Sequence, residues 1–147
     1  MSENSPDRPT WDEYWARVGS EDFLAAKNLL ELSSIRNDAE QWLEWHQDKQ
    51  FDDDGNPAGW SDPHPTLDWD AWVADYEETG RGWSSTEHRL FRIVAALVAS
   101  DERPFPMRET LGYLGSWETE VWRVLVNWGT GGNNREYPGR STVVPRH

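Results

Sequence analysis

The chain has 147 residues, no cysteine and 11 tryptophans, and its 27 acidic side chains outnumber 14 basic ones for a formal net charge of −13. Disulfides, thiolate metal sites and cysteine nucleophiles are thereby excluded, and a chain of this length buries about 68–70% of its unfolded surface as one domain without cross-links. Residues 1–80 hold 20 acids and 5 bases and residues 81–147 hold 7 and 9, so the negative field belongs to the first half.

That acid surplus argues against direct nucleic-acid binding, which needs a cationic surface. The apolar run from Ile93 to Ala99 falls far short of the roughly 20 residues of a membrane span. Residues 1–10 lack the basic and apolar regions of a secretory signal, and the expectation is a cytoplasmic protein with no membrane segment.

Residues 1–9 read as a flexible polar arm, followed by one helical domain over 10–129. Thr10 and Glu13 have capping-box spacing. Trp11, Tyr14, Trp15 and Val18 then recur at helical intervals until Gly19. Ser20 is the expected cap of a second helix bearing Phe23, Ala26, Lys27 and Leu30. Asn37 and Glu40 suggest a third start, with Ala39, Trp42, Leu43 and His46 on one face and Trp45 at its edge. The stretch from Phe51 to Pro65 is rich in Asp, Gly and Pro and reads as a long loop.

A fourth helix is expected from Trp69, Trp72, Val73 and Tyr76, closed by Gly80. Ser84 and Glu87 form another capping-box pair ahead of Leu90, Phe91, Val94, Leu97 and Val98. A short helix over 107–114 and a last one, capped by Ser116 and bearing Trp117, Val121, Val124, Leu125 and Trp128, complete the apolar part, 83–129. The acidic part is 10–80. Residues 130–147 read as an irregular basic tail, with Ser141–Val144 as its one strand-like run. The expected fold is all-α, a compact bundle of about six or seven short helices.

Chemistry is sparse. Placing Gly55 at the sixth position of an EF-hand loop puts Gln50 at the first and Ser61 at the twelfth, where calcium needs carboxylates. His46, His64, His88 and His147 lack the spacing of zinc ligands, and no hydrolase, zinc-protease or phosphate-loop motif is present. No metal, cofactor or catalytic residue is assigned. The segment from Met107 to Trp128 has the outline of a helix-turn-helix, but its second helix offers Glu118, Glu120 and Trp122 with Arg123 as its basic residue, which suits packing better than DNA.

Tryptophans at i, i+3 or i+4 (11/15, 42/45 and 69/72) are expected to bury against the helix at Leu90–Val98, while Trp45, Trp60 and Trp122 stay exposed. The expected function is an acidic, non-catalytic protein–protein interaction module, an adaptor or assembly factor. The alternative is a nucleic-acid mimic that inhibits a basic DNA- or RNA-binding protein. The partner-binding candidates are Trp45, Trp60, Trp122, Asp52, Asp53, Asp54, Glu118 and Glu120, and the partner is another protein, one with a basic surface in the nucleic-acid-mimic reading.

Overall fold

A computed structural model describes residues 8–137. In it, six helices and a β-ribbon surround the helix expected to be central, α5 (Ser85–Val98). Preceding it are α1 (Trp11–Trp15), α2 (Glu21–Leu30), α3 (Ile35–Glu40) and α4 (Trp69–Thr79); α6 (Met107–Thr110) and α7 (Glu118–Gly129) follow. Helix α2 lies between α5 and α7, while α4 and α6 also pack on α5.

Local capping signals set most helix starts. Thr10 and Ser84 each accept the backbone N–H three residues on, and Glu13 and Glu87 reach back to complete both capping boxes. Ser20 and Asp68 cap α2 and α4 in the same sense. Gly80 closes α4 with φ of 71°, a left-handed conformation that glycine adopts without a Cβ penalty.

The all-α expectation is wrong. Four strands form two antiparallel two-stranded sheets, and the fold is mixed α and β. Strand β1 (Leu43–His46) pairs with β4 (His64–Leu67), and β2 (Lys49–Phe51) pairs with β3 (Pro57–Trp60). The supposed loop over 51–65 is therefore most of a nested hairpin, and the third helix stops at Glu40. The apolar-polar alternation Leu43-Glu44-Trp45-His46 was misread as a helix face. Four residues cannot separate the two periods, and the partner strand begins 18 residues after β1 ends, so the pairing has no local signature.

Two other boundaries differ. Helix α6 has only four residues because Gly112, at φ 94°, breaks the segment expected to reach Leu114. Ser116 lies in a 3₁₀ turn (Gly115–Trp117) instead of capping α7. No helix-turn-helix pair results.

The core contains a row of aromatic rings. Trp11 and Trp15 of α1 lie 5.6 Å apart, Trp15 is 6.0 Å from Trp69, Trp69 is 5.6 Å from Trp72, and Trp72 is 5.0 Å from Phe91 of α5. These tryptophans are buried, and all but Trp15, whose indole N–H has no partner among the described residues, donate to an acceptor. The Trp69 N–H donates to the Tyr14 hydroxyl at 2.9 Å, and the Trp72 N–H donates to the Asp38 carboxylate at 2.8 Å. Arg81 donates to both Asp38 oxygens and to Asp75, joining α3, α4 and the connection to α5. Trp42 is half-buried and Trp45 exposed, so that pair is not core.

Residues 130–137 are irregular but packed. Asn134 is buried, donates to Glu21 at 2.7 Å and accepts from Asn28 through its carbonyl. Arg135 donates to the Trp15 and Val18 carbonyls at the end of α1. Ser141–Val144 and residues 1–7 lie outside the described residues. Among the described residues no helix is long and apolar enough to cross a membrane.

Removing the Asp38 acceptor strands two donors in one step. Asp38→Ala is expected to lower unfolding free energy by about 2 kcal/mol, read as a reduced denaturant midpoint at unchanged slope. The Ser100 hydroxyl and backbone N–H both donate to Asp70 and hold its carboxyl below the usual range. A depressed folded pKa stabilises above the unfolded value, about 4, and that contribution is lost as pH falls through the folded value. Asp70→Asn should therefore flatten the acid limb of the stability-pH curve.

Candidate partner-binding site

The ribbon formed by residues 43–67 is anchored at one end. Leu43 and Leu67 are cross-strand partners and both are buried, and β4 packs on α1 before Asp68 caps α4. From Glu44 to Trp60 every residue is exposed. An element buried at its root and exposed over seventeen consecutive residues is an arm, and it carries six carboxylates against Lys49 as its one basic residue.

Ser61 joins the two tiers of the arm. Its hydroxyl accepts the Asp48 N–H and its own N–H donates to the Asp48 carbonyl, both at 2.8 Å, while the Gln47 side chain donates to the Ser61 carbonyl. At the tip, one Asp52 carboxylate oxygen accepts the N–H groups of Asp54 and Asn56, each at 2.9 Å. This Asx turn occupies the oxygen that a calcium reading would need. Asp54-Gly55, with Gly55 at φ 84°, is the corresponding hairpin signal in the sequence.

Pairing decides which side chains share a face. Lys49 is opposite Trp60 and Phe51 is opposite Pro57, with one extra residue in β3 and Gly59 at φ 107°. Cross-strand partners, and residues two apart on one strand, point the same way. Phe51, Pro57 and Trp60 therefore lie on one face with Lys49. Phe51 is 58% exposed and Trp60 61%, whereas Trp45, 38% exposed, sits opposite Pro65 nearer the root.

The eight candidate residues thus divide. Trp45, Trp60, Asp52, Asp53 and Asp54 are on the arm. Trp122, Glu118 and Glu120 are on α7. Trp122 is exposed, but Glu118 is half-buried and committed internally, accepting the Gly112 N–H at 2.9 Å and the Trp122 indole at 2.7 Å. Glu120 is also half-buried and lies 3.7 Å from Arg123. Phe51 was missed because a single aromatic at the edge of an acidic loop has no local signal, while the Asp-Gly turn that places it was available.

Two histidine expectations also change. His46 and His64 are cross-strand partners with ring centroids 5.4 Å apart, so they are neighbours, and His46 is exposed on the face opposite Leu43. His88 pairs with the Tyr76 hydroxyl within an aromatic group that includes Trp83 and Phe91. Burial raises the Tyr76 phenol above its ordinary range. Ser34 and Ser84, which hydrogen-bond to the Glu87 carboxylate, serve helix starts or ties between helices.

No family model matches this chain, and neither does a curated protein or a solved structure. Loss of the Asx turn should be local because the tip is remote from the core. Asp52→Ala is expected to accelerate amide exchange at Asp54 and Asn56 while changing global stability by no more than about 0.5 kcal/mol.

Proposed function

We propose that the chain is an acidic, non-catalytic protein–protein interaction module that docks a partner with a basic surface through the 43–67 arm. The observation that carries this reading is the joint exposure of Phe51 and Trp60 on one ribbon face beside Asp52, Asp53 and Asp54. Isolated surface aromatics are ordinary, but two on one face of a projecting ribbon offer the large rigid side chains that anchor interfaces. The surrounding carboxylates attract a cationic partner and speed encounter.

The arm's own chemistry selects against two other modes. Six carboxylates per arm oppose pairing of two copies through that element. Lys49, Pro57 and the bulge at β3 blunt the open edges against strand addition. Docking through the side-chain face remains the mode the arm is suited to. A nucleic-acid mimic would present carboxylates as its main feature, and the aromatic pair makes that reading the weaker one.

The test is capture from host lysate after nuclease treatment, with the wild type and the Phe51→Ala/Trp60→Ala variant side by side. A partner retained by the wild type and reduced at least about tenfold with the variant, at equal thermal stability, is the expected result. Equal retention would refute docking through this face. Affinity for the recovered partner should fall modestly with salt. A steep fall, with competition by DNA and no effect of the aromatic substitutions, would instead establish the mimic.

A further inference from the structure

In a chain of net charge −13, one long helix presents an outward face without charge. The exposed residues of α7 are Thr119, Trp122, Val126 and Gly129, whereas α1, α2, α4, α5 and α6 each expose at least one charged side chain. Their 3-4-3 spacing is that of the seam along which one helix packs on another. Trp122 is 40% exposed and Val126 54%. The inner stripe of α7, Val121, Val124 and Leu125, is buried in the core, and half-buried Arg123 beside the seam lies 3.7 Å from Glu120 of the same helix.

We propose that two copies of the chain associate through this face, with their α7 helices antiparallel about a two-fold axis. A two-fold contact must be self-complementary, so that a residue pair made in one direction is made again in the other. With the axis midway between Trp122 and Val126, the indole of one copy meets the valine of the other. The same axis sets Thr119 of one copy against Gly129 of the other, because both pairs share one midpoint in the sequence. Each larger side chain thus faces a smaller one, and the helix dipoles run in opposite directions.

Hydrogen-bonding groups along the seam are satisfied within the chain. The Trp122 indole donates to Glu118, and the hydroxyl of Thr130, just past the seam, donates to the Val126 carbonyl, both at 2.7 Å. Covering the face strands neither donor, so the penalty for an unmet polar group does not arise there. Helix α7 also belongs to the half of the chain with 7 acids and 9 bases, which lets two copies touch without setting one acidic surplus against another. A helix of 12 residues is about 18 Å long. Its face is small beside the roughly 800 Å² per partner of a standard interface, which makes the dimer a weak one. The contact uses no residue of the arm and does not depend on the proposed docking.

The test is sedimentation equilibrium of the untagged full-length chain from about 10 to about 500 μM, at low and at high salt. A monomer–dimer equilibrium is expected, and it should tighten as salt screens the repulsion between two chains of charge −13. Val126→Glu places an unpaired charge in the seam and should weaken the dimer at least about tenfold, while Phe51→Ala/Trp60→Ala leaves it unchanged. Thermal melts of the variants separate lost association from unfolding. A monomer at every concentration, which would assign the face to a different occupant, overturns the dimer, as does a dimer that Val126→Glu does not weaken. Partner capture through the arm is a separate readout whose failure leaves this one intact.

Discussion

The buried Trp72 indole is the constraint on which the rest of the structure depends. Its ring is fully enclosed between Trp69 and Phe91, which secures the apolar gain but removes its N–H from water. Asp38 must supply the acceptor, and that carboxylate in turn needs the Arg81 guanidinium beside it. One ring thereby fixes the spacing of α3, α4 and the start of α5. Helix α4 begins directly after β4, so the same constraint sets the root of the arm.

The surface follows from that rigid base. Leu43 and Leu67 commit the first cross-strand pair to the core, and the ladder fixes the facing of every pair beyond it. Outward, burial ends and polar contacts take over: Ser61 links the tiers and Asp52 closes the tip. The aromatic face and the histidine pair occupy different tiers of the same ribbon.

Much of the helical framework was legible because its signals are local. Thr10/Glu13 and Ser84/Glu87 announce capping boxes within four residues, and Trp69, Trp72, Val73 and Tyr76 announce α4 within eight. The β-ribbon was not legible, because Leu43 pairs with Leu67 across a whole intervening tier of the chain. The same distance hid the His46–His64 pair, which is a consequence of register. Arg135 closing the carbonyls of Trp15 and Val18 is a contact across about 120 positions that no window could reveal. Exposure of Trp45, Trp60 and Trp122 was anticipated from the surplus of indoles, whereas the internal role of Glu118 depends on a turn at Gly112 that the helical reading passed over.

Cross-strand contacts in solution test the central claim, that residues 43–67 form an ordered two-tier arm, most directly. Nuclear Overhauser effects measured on the full-length chain should connect Glu44 with Thr66, His46 with His64, and Lys49 with Trp60. Those three contacts, alongside extended-backbone chemical shifts through Leu43–His46, are the predicted result. Helical shifts over Leu43–His46, or absence of all three contacts in a folded sample, would contradict the arm and with it the shared aromatic face.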